Sequence, residues 1–140
     1  TSNLLKDTLT WNFTLSGQIP ATLANWRSTY GSDTAVLTAD RLPNLVKYAL
    51  GLAANTAATP SQLPAGSVAS SYLTLTIPRR TRRSDTTYTV EVSSDLQTWN
   101  SGPGHTVIVQ DTDTQLVVRD AFPQSTNAKR FIRLKVQATP

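Results

Sequence analysis

Two stretches, SYLTLTIP (residues 71–78) and TYTVEVSS (residues 87–94), decide the fold, because apolar and polar side chains alternate along both. A period of two places every second side chain on the same face of a β-strand, so each stretch is predicted to be a half-buried strand. The predicted inward positions are Leu73, Leu75, Ile77, Tyr88, Val90 and Val92.

Three more stretches with strand character follow: HTVIVQ (residues 105–110), TQLVVRDA (residues 114–121) and RFIRLKVQ (residues 130–137). Short strands separated by turn residues are typical of an antiparallel sandwich. The predicted fold is therefore mainly β, an antiparallel β-sandwich of immunoglobulin-like, fibronectin-like or jelly-roll-like type.

The segment DTLTWNFTLSG (residues 7–17) shows the same alternation near the start of the chain. It predicts a strand that carries Leu9, Trp11, Phe13 and Leu15 on one face. Because helical segments and a long stretch rich in Ala, Thr and Pro separate it from the other strands, no tight turn fixes its partner. Self-association through exchange of this strand between copies is therefore one hypothesis.

Residues 20–52 have helical spacing and helix-end signals, so a small helix pair is predicted between the first strand and the others. Leu23, Trp26 and Tyr30 share one helix face, which predicts a buried Trp26. Residues 53–70 are small, uncharged and interrupted by Pro, and they are predicted to form a linker arm.

Length and composition place the chain in one domain of 140 residues. No apolar run approaches the roughly 20 residues of a membrane span, so none is predicted. The sequence contains no Met, not even at position 1, so the chain is expected to begin after processing or trimming, and a removed signal peptide is one explanation. A secreted or cell-surface location is expected. The predicted parts are an N-terminal strand (1–17), the helix pair (20–52), the linker arm (53–70) and the sandwich strands (71–137).

The sequence contains no recognisable catalytic constellation. Glu91 is the only Glu and His105 the only His, and the first is predicted to be a surface charge opposite Arg133 or Lys135, the second a turn residue. No nucleophile–base pair, phosphate-binding loop or His cluster is found. The chain is therefore predicted to be neither an enzyme nor a cofactor-binding protein.

The motifs NWRSTYG, LPNLVKYALGL, LTLTIPRR, YTVEVSSDLQTW and RFIRLKV, in that order, resemble a known family. They are similar to the C-terminal module of large secreted proteins of verrucomicrobial-type bacteria, many of them polysaccharide-degrading enzymes or autotransporter-like surface proteins. The resemblance covers residues 25–137. It implies a non-catalytic accessory domain.

The chain departs from that family in one place. Its members usually carry an Asp-rich calcium loop before the LPN motif and an acidic residue in the helix that follows. Here only Asp40 remains, Arg41 follows it, and Lys47 stands where the acidic residue is expected. Calcium takes six to eight oxygen ligands, several of them carboxylates. The calcium site is therefore predicted to be lost, which leaves the apolar face alone to hold the helix pair.

Arg79, Arg80, Arg82 and Arg83 fall within five positions between two predicted strands. The first interpretation is a solvated, hairpin-like turn whose charges prevent edge-to-edge pairing. The second adds Arg133 and Lys135 from the last strand, together with Lys129 and Arg130, to form a basic face for a uronic or sulfated polysaccharide. No RNA-binding motif or DNA-recognition helix accompanies these charges, so nucleic acid is not a predicted partner.

Three aromatic side chains are candidates for contacts with a sugar ring. Trp99 either closes one end of the sandwich or lies exposed as a platform, and the structural role is favoured. Tyr72 and Phe131 have outward parity on their strands.

Two functions from different classes remain open at this point. The first is a non-catalytic secreted module that binds polysaccharide or anchors its parent protein at the cell surface. The second is a structural module, either a fibre subunit assembled by strand exchange or a terminal sorting domain.

Overall fold

The computed structural model describes residues 22–80, 82–124 and 129–139. Within these residues the secondary structure consists of two α-helices, one 3₁₀ helix and six strands. The helices are α1 (Leu23–Tyr30), α2 (Asn44–Leu50) and the 3₁₀ helix Pro60–Gln62. The strands are β1 (Ala65–Ala69), β2 (Tyr72–Pro78), β3 (Thr86–Ser93), β4 (Thr106–Asp111), β5 (Gln115–Asp120) and β6 (Phe131–Ala138).

The strands form two antiparallel sheets, one with the order β1-β2-β5-β4 and the other with β3 paired to β6. This is the order A-B-E-D and C-F of a constant-type immunoglobulin sandwich, in which a seventh strand, G, would pair with F. No described strand occupies the equivalent place beside β6. The predicted mainly-β fold with a small helix pair is confirmed.

The main core lies between the two sheets. It joins side chains from both sheets to the end of α2, and its buried members are Leu50, Leu52, Leu75, Ile77, Val90, Leu116 and Val118. A second cluster of Leu23, Trp26, Tyr48 and Ala54 packs the helix pair against Ala138 at the end of β6. Trp26 is fully buried, as predicted.

Local signals fix the ends of the helices. The Thr22 side chain accepts a hydrogen bond from the Asn25 amide at 3.2 Å, which caps α1. Gly51 ends α2 at φ 72°, in the left-handed region where a side chain is strained. A Cβ atom on Gly51 would lie 2.8 Å from the Cβ of Arg80, so close packing also requires glycine here.

The structure corrects two predictions about connections. Residues 53–70 are not simply a linker, because Ala54 is buried and residues 65–69 form β1, which pairs with β2. Every β1 residue is exposed. Apolar and polar residues do not alternate in its sequence, AGSVA, so no pattern predicts this strand. Residues 79–85 are not a hairpin either, since β2 and β3 belong to different sheets.

The predicted N-terminal strand with Leu9, Trp11, Phe13 and Leu15 lies outside the described residues. In the part of the chain that the structure describes, no helix has the length and apolar character needed to cross a membrane.

Candidate functional site

A groove of about 420 Å³ lies between β3 and β4, which are edge strands of different sheets. Its volume lies in the range of small-ligand sites. Its floor is apolar, its walls carry hydroxyl groups, and one end is charged. The floor is formed by Val90, Ile108, Leu116 and Val118, the hydroxyl groups belong to Thr86, Thr87, Thr89, Ser101 and Thr106, and the charges to Arg79, Arg82 and Asp111.

The backbone of β3 also faces this groove. Val92 exchanges both backbone hydrogen bonds with Asn100, at 2.8 and 2.9 Å, on the side of β3 away from β6. Because backbone groups alternate in direction along a strand, the N–H and C=O groups of Thr86, Tyr88 and Val90 point to the same side. Among the described residues no strand pairs with them. The groove therefore offers backbone donors and acceptors as well as side chains.

Thr86 supplies the most informative side chain. It is 6% exposed, and its hydroxyl oxygen has no hydrogen-bond partner among the described residues. A buried hydroxyl without a partner costs about 1–3 kcal/mol of stability. Its position in the wall of the groove means that a bound ligand can supply the missing hydrogen bond.

At the charged end of the groove, Arg79, which follows β2, contacts the turn between β4 and β5. Arg79 is 4% exposed, and its Nη2 lies 2.5 Å from Oδ1 of Asp111 while its Nε donates to the Thr112 carbonyl at 3.1 Å. Arg82 contacts the same Asp111 oxygen. Two guanidinium groups share one carboxylate, so this end has an excess of positive charge.

The remaining two arginines of the 79–83 segment lie outside the groove lining. Arg83 lies 4.4 Å above the Tyr48 ring, and its Nε donates to the Tyr48 carbonyl at 3.2 Å. Arg80 is exposed, and its backbone N–H donates to the Leu50 carbonyl. The solvated-turn interpretation is therefore wrong for Arg79 and Arg83, whose guanidinium groups hold the sandwich to its neighbouring segments.

Two of the other predicted cations, Arg133 and Lys135, lie on the outer face of the β3–β6 sheet, whereas Arg130 is paired with the buried Asp120 at 2.5 Å. Arg133 bonds to Glu91 at 2.8 Å and lies 4.0 Å above the Trp99 ring, which is half-buried. The predicted surface pairing of Glu91 is therefore confirmed. Lys135 is exposed two residues further along β6. Arg133 pairs with Glu91, at the end of β3 that lies away from the groove's charged end, so the predicted cations do not form one face.

Tyr72 and Phe131 begin β2 and β6, at the end of the sandwich opposite the Arg79–Arg83 segment. Both rings are half-buried, and the Arg119 guanidinium lies 3.9 Å above the ring of Tyr72. Together with Trp99 they do not form an exposed row of rings. An aromatic platform is therefore not the arrangement that the described residues present.

Lys47 and Asp40 correct the prediction about the helix pair. Lys47 is fully buried, and its ammonium lies 3.1 Å from Asp40, 2.5 Å from the Thr38 hydroxyl and 2.8 Å from the Thr56 carbonyl. The ammonium thus occupies the centre of an oxygen cluster. A calcium ion does not fit these residues, because a positive group already lies among the donors. Charge pairing, and not only an apolar face, therefore holds α2 to the loop before it and to the segment after it.

The pKa of the Asp40 carboxyl is held well below its usual range. The largest cause is the hydrogen bond from the Thr38 hydroxyl at 2.6 Å, followed by the Ala58 and Leu42 amides and then by Lys47. Asp40 therefore remains ionised beside the Lys47 ammonium throughout the neutral range.

Comparison with known proteins finds no matching family model, and no curated protein or solved structure is similar to the chain. Within residues 22–80, 82–124 and 129–139, no three His, Asp or Glu side chains come together as a metal site would require. The chemistry of the groove is therefore the basis on which a function is proposed.

Of the groove residues, only Arg79 and Arg82 were predicted to contact a ligand. Thr86, Ser101, Thr106 and Asp111 were missed, since each has the ordinary sequence context of a strand or a turn. The one sequence signal is the density of hydroxyl-bearing residues on both sides of the Arg79–Arg83 segment.

Proposed function

We propose that this chain is a secreted, non-catalytic module that binds a polysaccharide segment in the groove between β3 and β4. The observation that carries the proposal is the buried, unpartnered hydroxyl of Thr86 in the wall of an open groove of about 420 Å³. Sugars present hydroxyl groups and apolar C–H faces together, and the groove offers hydroxyl walls above an apolar floor.

The charged end favours an anionic polysaccharide. Arg82 is exposed and shares Asp111 with Arg79, so one positive charge is in excess there. An arginine guanidinium binds carboxylate or sulfate oxygens through two parallel hydrogen bonds. A uronic or sulfated sugar is therefore the ligand class that this end of the groove suits.

A binding role is favoured over a hydrolytic one by the carboxylate inventory of the groove. Glycoside hydrolysis normally uses two carboxyl groups with different protonation states. Among the described lining residues Asp111 is the only carboxylate, and it is paired with two arginines. Accessory binding at the cell surface is the role that we infer.

The test is a glycan array with neutral, uronic and sulfated oligosaccharides, probed with the full chain and two variants. Thr86→Val keeps the shape of the side chain and removes the hydroxyl. We expect it to weaken binding about tenfold, since one hydrogen bond to the ligand is lost. The same variant should raise the free energy of unfolding by about 1 kcal/mol, because an unpaired buried hydroxyl is removed.

Thr76→Val is the matched control, since Thr76 lies on β2 with outward parity relative to the core residues Leu75 and Ile77. It should leave binding unchanged. Arg82→Ser should weaken binding to uronic and sulfated sugars and spare neutral ones. Absence of binding across the array, or binding that Thr86→Val and Arg82→Ser both leave intact, would contradict the proposal.

A further inference from the structure

The interior of the sandwich is closed along most strands and open beside β6. The inward residues Leu75, Ile77, Val90, Val92, Leu116 and Val118, on β2, β3 and β5, are at most 7% exposed. The inward residues of β6, which are Ile132, Leu134 and Val136, are only half-buried. Something that would cover them is therefore missing from the described residues.

The inner face of β1 shows the same opening. Gly66 lies opposite Leu75 and Val68 opposite Leu73, so both face the interior side of the sheet. Val68 is nevertheless 57% exposed, and a Cβ atom added to Gly66 would meet no atom within 4 Å. A free space therefore lies over β1.

The free edge of β6 lies on the side of β1, because β6 packs over β2 while its partner β3 lies near β4, at the other edge of the four-stranded sheet. Val92 pairs with Ile132 but directs its own backbone groups to Asn100, so this pair exchanges no hydrogen bonds. The backbone N–H and C=O groups of Ile132, Leu134 and Val136 consequently point away from β3. We call this edge, together with Gly66, Val68 and Leu73, the β6 shelf. It combines unpaired backbone groups with an apolar floor, as a site that accepts a strand does.

We propose that residues 9–15 of the same chain bind on the β6 shelf as a seventh strand of the sandwich. Their apolar side chains recur at every second position and would cover the floor, while the polar ones between them would face solvent. The apolar side chains are Leu9, Trp11, Phe13 and Leu15. The groove between β3 and β4 suits this segment less well, because its walls carry hydroxyl groups and an ion pair.

The position of α1 favours a contact within one chain. The Leu23 amide donates to the Asp85 carboxylate at 2.7 Å, and the Thr139 amide donates to the Asp85 carbonyl at 3.0 Å, so α1 begins beside the end of β6. Residues 16–22 span at most about 25 Å when extended. Residue 15 therefore lies within reach of the shelf, and the segment would run parallel to β6. So short a tether gives an effective concentration in the millimolar range.

The test uses amide hydrogen exchange in the full chain, followed by NMR. If the shelf is filled, the Ile132, Leu134 and Val136 amides should exchange at least about 100-fold more slowly than exposed strand-edge amides. Gly66→Phe places a ring in the space that the added strand would use, and it should return these amides to rapid exchange. Ser67→Phe, on the opposite face of β1, should leave their protection unchanged.

A mixture of ¹⁵N-labelled and ¹³C-labelled chains separates contacts within a chain from contacts between chains. The proposal expects nuclear Overhauser contacts between residues 9–15 and β6 within one chain. Contacts found only between chains would replace it with strand exchange. Rapid exchange at the shelf of the unmodified chain, or protection at Thr86, Tyr88 and Val90 instead, would also overturn it.

Discussion

At the residue scale, the most consequential side chain is that of Lys47. Its ammonium lies among oxygen atoms of Thr38, Asp40, Ala54 and Thr56. A buried charge is tolerated only when it is paired and hydrogen-bonded. Lys47 satisfies both conditions, so the helix pair contains its own cation.

Removing that cation should destabilise the fold. Lys47→Met keeps the apolar stem and leaves Asp40 without its positive partner, and we expect the Tm to fall by about 10 °C or more. Thermal unfolding followed by circular dichroism measures the change. Lys135→Met, at an exposed position on β6, is the matched control and should change the Tm little.

Millimolar calcium should not raise the Tm of the unmodified chain, and a rise of several degrees reversed by chelator would contradict this account.

Asp40 should also contribute to the pH dependence of stability. Its folded-state pKa lies below the ordinary value of 3.8, chiefly because of the Thr38 hydroxyl. Its contribution is thus present above that value and is lost as the pH falls through the folded pKa. Urea unfolding between about pH 6 and pH 2 should show a shallower acid decline for Asp40→Asn than for the unmodified chain. Asp33 and Asp95, whose pKa values are also lowered, should contribute to the decline that remains. Equal slopes would exclude the predicted role of Asp40.

At the element scale, the segment between β2 and β3 shows what sequence patterns can and cannot predict. The sequence shows four arginines in this segment, but it does not predict which of them are buried. Arg79 is buried where it bonds to Asp111 and Thr112 at the end of β4. These partners lie more than 30 residues away along the chain, so no local pattern predicts the burial. Strand β1 escapes prediction for a related reason, since its pairing depends on backbone bonds to β2 and on no apolar alternation.

The segment's arginines should therefore differ in their effect on stability. Arg79→Met removes charged hydrogen bonds from a buried side chain, and we expect a loss of about 1.5–3 kcal/mol in the free energy of unfolding. Arg80→Met changes an exposed side chain and should cost less than about 0.5 kcal/mol. Chemical denaturation of both variants tests this difference. Similar values for the two would mean that the contacts of Arg79 with Asp111 and Thr112 contribute little.

At the scale of the whole molecule, the period-two pattern predicts strands β2 to β6, and the helix spacing predicts the helix pair. The order of the strands is not encoded in those patterns, because it depends on which sheet each strand joins. The groove exists because β3 and β4 are edges of different sheets, and the β6 shelf exists because no described strand lies beside β6. Of the residues that line the groove, the sequence therefore predicts only Arg79 and Arg82 as ligand contacts.

The most direct test of the central claim is an NMR titration of the ¹⁵N-labelled full chain with oligosaccharides of polygalacturonate. Binding in the groove predicts shifts of the amides of Thr86–Val90 and of Ser101, Gly102 and Thr106, which line it. Those shifts should weaken in Thr86→Val and persist in Thr76→Val. The contradicting result is a set of shifts confined to the outer face around Trp99 and Lys135, or no shifts with any uronic, sulfated or neutral oligosaccharide.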